Sequence, residues 1–517
     1  MPRPSKPLIS RFRDRVIWMT RNLDTDPRYL RFINEDNIDD NFHALQNALQ
    51  NRSYKFEDDI ESVRSARVTF NRKNWTMALN SDAISPILID WLCNLYPDMS
   101  HDHLCESDFE SFLERGIGIE RARERWRKAI RLYTKSRGRL AETALDWYGK
   151  NVSDNANGIP IPLVTKPGWI RSSPIELNPE FEAQFASLPK NPVKRDEPRL
   201  DGLAGDYATY RGKEGFPARR TVYPKPQNNG EIFCATDVLL DDDGQFGGFR
   251  YRLAGYFDYL NTCEVLGAEL SDWLLSNNDA KLPDKFELRG SRNDIFNLDN
   301  RAAYPGVNCL TIVKNYQEYG KPKGSYFLLH YRDDTQLQAQ FTTHVAPAGG
   351  HQGLSKNAQS DDTMFLRTLI REFAEELFNK EELVSQFEKW TAFYSHPDIR
   401  QIVDVFFVGE RPAARVYLLG FGLDPITTKP EVLCTMIIDW DRVRELIERP
   451  KFEFNWEFQT AQKDQTRHDW LPLTREALIA EATGPRHLLN EHHLDPLPAG
   501  AACMLITAKH FESFGFR

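Results

Sequence analysis

The stretch VAPAGGHQGLSKNAQSDDTMFLRTLIREFAEELFNKEEL, residues 345–383, decides how the rest of the chain is read. In its second half Phe365, Leu366, Leu369, Ile370, Phe373 and Leu377 recur at helical spacing and make one apolar stripe. Glu372, Glu375 and Glu376 fall at i, i+3 and i+4, so they share a face beside that stripe. Three carboxylates on one face repel each other. A hard cation relieves that repulsion, and Mg²⁺ suits such a site when a phosphate completes its shell. Arg371 is placed to pair with one carboxylate and fix its orientation. Asp361 and Asp362 open the helix, where acids complement its dipole. Upstream, Gly349–Gly350 end a strand and permit a tight backbone approach.

Outward from this segment, strands and helices alternate. VNCLTIVKNY (307–316) and GSYFLLHYRD (324–333) are rich in β-branched and aromatic residues and are separated by a hairpin signal, EYGKPKG. QIVDVFFVGE (401–410), ARVYLLGFGLD (414–424) and VLCTMIIDW (432–440) predict three more strands, with a helix at DRVRELIE (441–448). The order is that of a mixed α/β layer domain. Before it, EIFCATDVLL (231–240) and FRYRLAGYF (249–257) predict strands joined by a DDDG turn, and 259–275 predicts an amphipathic helix. Eleven of the 30 prolines lie between Pro160 and Pro226, which excludes long helices there. The first 150 residues show helical spacing and no strand alternation. We therefore expect a multidomain α/β protein: a helical, all-α N-terminal domain (1–157), a proline-rich α+β middle region (158–300), and a C-terminal α/β domain with an extension (301–517).

The 517 residues carry 66 Lys+Arg against 75 Asp+Glu, a net charge of −9, which argues against a histone-like coat on nucleic acid. The charge is uneven. Arg121–Arg139 has nine basic residues and one Glu on a helical pattern. Contact with nucleic-acid phosphates is one reading of it; a solvated helical face is the more ordinary one. Residues 71–97 can be read as a helix-turn-helix, without a clear recognition helix. Seven scattered cysteines with no Cys-x-x-Cys spacing form a poor disulfide framework and fit a reducing cytosol. His101, His103 and Cys105 lack a second pair at zinc spacing, so a surface loop is favoured. No secretory signal and no membrane span are expected, and a cytoplasmic protein is the default.

REFAEEL (371–377), preceded by a strand and Gly-Gly, resembles the Nudix box, whose pattern is G-x5-E-x7-R-E-U-x-E-E-x-G-U, with U a bulky aliphatic residue. The likeness covers about residues 303–480. It implies an α/β/α sandwich with a mixed sheet, metal-binding roles for Glu372, Glu375 and Glu376, and an orienting role for Arg371. It also implies Mg²⁺ or Mn²⁺ as cofactor and hydrolysis of a nucleoside diphosphate linked to another moiety, of the ADP-ribose, dinucleotide or nucleotide-sugar class. Twenty residues separate Gly350 from Arg371 where the family has thirteen. Thr363 stands at the early glutamate's place, with Asp361 or Asp362 as stand-ins, and Phe378 replaces the box's last glycine.

Gly349, Gly350, His351 and Glu431 are the candidate substrate contacts, with Glu410 and Glu457 as rivals to Glu431. Phrases such as PLVTKPGWI and LPAGAACMLITAKH resemble long bacterial proteins, common in actinobacteria, that join a helical, often helix-turn-helix-like, N-terminal part to a Nudix-like domain. The alternative function is therefore a nucleotide sensor of weak or no activity coupled to a DNA-binding or partner-binding helical domain, as in a transcriptional regulator or antiphage component. The expected ligand is a nucleotide-type small molecule, and a homodimer is compatible with the sequence.

Overall fold

The computed structural model describes residues 125–149, 154–156, 158–192 and 229–517, the last span apart from short stretches at 277–281, 284–285, 292–293, 318–321, 333–341, 354–359, 381–386, 388, 410, 449, 455–467, 485–486 and 490–491. The described residues belong to one compact unit, Ile119–Arg517. The readings of residues 71–97 and of His101, His103 and Cys105 lie outside them, as do Glu410 and Glu457.

The chain enters through helices α1 (125–135) and α2 (Arg137–Tyr148). Strand β1 (Ile170–Glu176) follows, then a hairpin of β2 (Glu231–Leu240) and β3 (Phe246–Gly255), then α3 (Val265–Ser276). The next strands are β4 (Gly306–Tyr316), β5 (Gly324–Arg332), β6 (Thr342–His344) and β7 (Ala348–Gly350). Helix α4 (Phe365–Glu372) continues as a π-helical turn, Phe373–Leu377, and is followed by α5 (Pro397–Phe407). After β8 (Ala414–Leu423) and β9 (Pro430–Asp439) come α6 (Trp440–Leu446), β10 (His468–Pro472), α7 (Arg475–Thr483), β11 (His487–Leu489), β12 (His492–Pro496) and α8 (Pro498–Lys509).

Among the described residues ten strands form one sheet in the order β11-β12-β6-β5-β4-β9-β8-β1, with β7 on β4 and β10 on β5. The sheet is mixed: β4 and β9 are parallel, as are β12 and β6, and the other neighbours are antiparallel. Alternation along β4 explains its long apolar run. Val307, Cys309 and Val313 enter the core shared with α4 and α5, whereas Leu310 and Ile312 enter the core shared with α8. A strand buried on both faces loses the polar positions that would mark one face as wet. Helix α8 is buried along nearly its whole length, and its Ala499, Gly500, Ala501 and Ala502 let it approach the sheet closely.

The architecture is thus α/β, with a mixed sheet and helices on both faces. The divisions expected at 157/158 and 300/301 run through one packed body. Strand β1, from the proline-rich stretch, pairs with β8, and α2 packs on α3 through Leu140, Ala144 and Leu270. The strand expected at 401–410 is the helix α5. His396 accepts from Asp398 N, Pro397 starts the helix, and Ile399, Ile402, Val403 and Phe406 make a buried helical stripe inside a run that is rich in β-branched residues. The helix expected to open at Asp361 and Asp362 comes in pieces: a 3₁₀ turn at Ser360–Thr363, α4, and the π turn.

Candidate functional site

Strand β7 pairs with β4 in the sheet and lies against α4. A Cβ built on Gly349 would sit 2.1 Å from Glu372 Oε1, so the bare backbone is what lets the carboxylate lie against the strand. The Arg371 guanidinium closes the arrangement. Its Nη2 donates to Glu372 Oε1 at 2.5 Å and to Gly350 O at 3.1 Å. Burial works against the charge on Arg371, but Glu372 and Glu375 outweigh it and hold the guanidinium charged, above its ordinary pKa. Glu376 Oε2 accepts from Ala348 N at 3.2 Å. The Gly-Gly strand, Arg371, Glu372 and Glu376 are therefore brought together.

Glu375 is set apart from the other two. Glu372 and Glu376 are buried, but Glu375 is half-buried. The wider π turn that begins at Phe373 alters the simple i, i+3, i+4 facing expected of an α-helix. Such single turns recur at functional positions in helices. Among the described residues no three His, Cys, Asp or Glu side chains gather as a metal cluster.

The stand-ins for the early box glutamate have structural partners. Asp362 is buried and accepts from the Trp390 indole, and Thr363 Oγ1 accepts from Ser187 N. His351 is fully buried, not at an open surface. Its Nδ1 meets Thr368 Oγ1 at 2.8 Å, and its ring lies among Phe233, Tyr251 and Phe365. Burial and nearby Arg371 push its pKa down to about 3, so it is neutral at ordinary pH. A phosphate would have to enter the core to reach it.

Glu431 lies on the other face of the sheet. In register it sits beside Gly306, which pairs with Gly350, whereas Gly349 and its partner Val307 face α4. Glu431 Oε2 accepts from Asn308 Nδ2 at 2.8 Å, and Oε1 is 3.2 Å from Lys429 Nζ. Burial raises the Glu431 pKa; Lys429 and the Asn308 hydrogen bond pull it back. Tyr304 joins the two faces. A Cβ on Gly350 would meet its hydroxyl, Lys429 Nζ is 5.8 Å from its ring centroid, and the charges of Arg371 and Glu372 act on it.

Several of these residues carried no sequence signal. Lys429 and Glu431 leave a loop, Asp424–Thr428, that buried arginines clamp. Arg289 donates to Pro425 O and Ile426 O, and Arg301 to Thr428 O. Thr428 has a left-handed φ of 59°, a conformation that persists when its surroundings fix it. A second unsignalled contact caps α4. Buried Glu182, in the short helix Pro179–Ala183, accepts from Phe365 N at 2.6 Å and Leu366 N at 3.3 Å.

Of the basic stretch Arg121–Arg139, the described part is helical. Arg125, Lys128, Arg131, Lys135 and Arg139 are exposed, whereas Arg137 is buried with its guanidinium 3.9 Å from the Tyr133 ring centroid. Among the described residues no helix is long and apolar enough to cross a membrane. The described cysteines, at 234, 263, 309, 434 and 503, are buried thiols outside any disulfide. No protein-family model and no curated protein matches the chain.

Proposed function

We propose that the chain is a Nudix-type, metal-dependent hydrolase acting on a nucleoside diphosphate linked to another moiety, of the ADP-ribose, dinucleotide or nucleotide-sugar class. One observation carries this reading. Arg371, at the head of the box, binds both the carboxylate that follows it and the carbonyl of Gly350, across the twenty-residue loop that separates them. A helix with merely solvated glutamates has no need of that link.

The donor set fits a hard divalent cation, because Glu372, Glu375 and Glu376 offer only carboxylate oxygens. Mg²⁺ commonly takes one or two carboxylates and completes its shell with water and phosphate oxygens, so a preformed three-residue cage is not required. When bound, Mg²⁺ or Mn²⁺ would neutralise charge on the diphosphate and lower the pKa of the attacking water. Arg371 holds Glu372 in one orientation. Gly349 keeps the space that Glu372 occupies. Lys429 and Glu431 are proposed as substrate contacts from the far side of the strand pair.

The second reading is a nucleotide sensor. It is favoured by the half-buried Glu375, and by Asp362 and Thr363 being engaged elsewhere instead of supplying a further carboxylate. Nucleic-acid contact through the exposed side of 125–139 is a proposal of the same rank.

The deciding experiment is a screen of ADP-ribose, dinucleotides and nucleotide sugars with Mg²⁺ and Mn²⁺, scored for thermal shift and for product. Release of a nucleoside monophosphate supports the hydrolase. A thermal shift without product supports the sensor. Neither response to any compound rejects both.

A further inference from the structure

Glu431 is one end of a chain of three buried polar side chains. Asn308 Nδ2 donates to Glu431 Oε2 at 2.8 Å and approaches Val432 O at 3.3 Å. Both neighbours are acceptors, which fixes the amide with its nitrogen toward β9 and its oxygen toward β6. There, Asn308 Oδ1 lies 3.0 Å from His344 Nε2. An amide oxygen only accepts, so His344 must carry its hydrogen on Nε2. Its buried Nδ1 has no partner among the described residues, so a second proton there would find no acceptor and Nδ1 is left bare. Gly500 of α8 supplies the room, since a Cβ there would lie 2.8 Å from Nδ1. Asn308, His344 and Glu431 are each less than one-tenth exposed.

Such a chain has a direction. His344 is the donor, Asn308 passes on the orientation, and Glu431 is the final acceptor. With Lys429 on Oε1, both carboxylate oxygens are held. A carboxylate that merely filled space beside Gly306 would not need an ordered pair behind it. We propose that Asn308 and His344 are positioning residues that fix the Glu431 carboxylate beside Gly306, at the start of β4 and β9, with His344 acting as an obligate neutral Nε2–H donor. That Glu431 then meets substrate rests on the hydrolase reading; the positioning does not.

The charged and titratable groups around this chain come from several elements. Lys429 and Asp424 act on Glu431 from the loop before β9, and Cys503 of α8 lies within its field. Arg332 of β5 and Lys429 act on His344, and with burial they push its pKa down to about 3, so the imidazole stays neutral across ordinary pH. These surroundings agree with the tautomer that the hydrogen bonds require.

Two readouts without substrate test the proposal on the full chain. Selective ¹⁵N-histidine NMR, assigned with His344→Gln, reports the tautomer in the wild type. A neutral Nε2–H form at pH 7 is expected; an Nδ1–H or doubly protonated ring overturns the proposal. Isotope-edited infrared titration, assigned with Glu431→Gln, then follows the Glu431 carboxylate. His344→Gln keeps a donor at the Nε2 position and should leave its midpoint and band shape near wild type. His344→Leu and Asn308→Leu remove the oriented donor and should raise the midpoint and broaden the band. Equal behaviour of the Gln and Leu variants at His344 would refute the positioning role. Should the Leu variants fail to fold, the wild-type tautomer still decides. Absence of hydrolysis would count against the function proposed above and leave both readouts standing.

Discussion

The two faces of the strand pair formed by β4 and β7 are built from different kinds of sequence. On the α4 face, Arg371, Glu372 and Glu376 come from six consecutive residues and meet a Gly-Gly separated from them by twenty residues. On the α8 face, Asn308, His344, Lys429 and Glu431 come from three strands and a loop. The first is a local motif that one helix delivers. The second exists only once β4, β6 and β9 are in register, so no local spacing announces it. A chemically specific arrangement is therefore more legible when one element carries most of it.

The largest expected effect breaks the α4 face. Gly349→Ala places a methyl where Glu372 Oε1 lies. If hydrolysis depends on that carboxylate, kcat/KM should fall about 100-fold, the scale of loss that follows a 1 Å misplacement. Gly306→Ala intrudes on Glu431 in the same way. Steady-state kinetics on the pair, with circular dichroism to confirm folding, would show whether both faces serve one reaction. Equal, negligible losses would deny a catalytic part to either.

Next in size is acid stability. His344 and His351, one on each face, are both held near pKa 3, below the ordinary value of about 6.5. The unfolded chain therefore binds more protons between those pH values. The stability from each neutral ring is present above pH 6.5 and is lost as pH falls toward 3. Between pH 7 and pH 5 each histidine should remove about 2 kcal/mol. Urea unfolding at the two pH values should show a smaller loss in His351→Asn than in the wild type, and an equal loss would contradict the buried neutral state.

A smaller effect concerns how α4 is held. Burial pushes Glu182 up to about 8, against its two backbone donors and Arg367. A pKa above the unfolded value means that its contribution is full below about pH 4.5 and is lost as pH rises through 8. Glu182→Gln should therefore gain on the wild type at pH 9, while Glu182→Ala loses the cap, at about 0.5–2 kcal/mol. Thermal melts at pH 6 and pH 9 separate the two.

These contacts mark where sequence stops being informative. Strands 231–240, 307–316 and 414–424 were legible because β-branched and aromatic residues fill them. Residues 401–410 read as a strand, although most of them lie in helix Pro397–Phe407, because Ile402, Val403, Val405, Phe406 and Phe407 form an apolar cluster that hides the helical stripe. Arg371 and Glu372 were legible from their spacing, but the π turn that shifts Glu375 was not, since both helical forms share the same residues. Glu182 lies 183 residues before the helix it caps, and Arg289 136 before the loop it clamps. Long-range hydrogen bonds leave no period in a sequence.

The central claim is that Glu372 and its neighbours are a cation site built on Arg371 and Gly349–Gly350. Mn²⁺ titration by calorimetry, in the presence of a non-hydrolysable ADP-ribose analogue, tests it most directly. The account predicts saturable Mn²⁺ binding in the wild type that weakens at least tenfold, about 1.4 kcal/mol, in Glu372→Gln and in Glu376→Gln, with the analogue's own affinity in metal-free buffer unchanged. Mn²⁺ binding of equal strength in the wild type and both variants would contradict it and leave the three glutamates as a charged face of the helix.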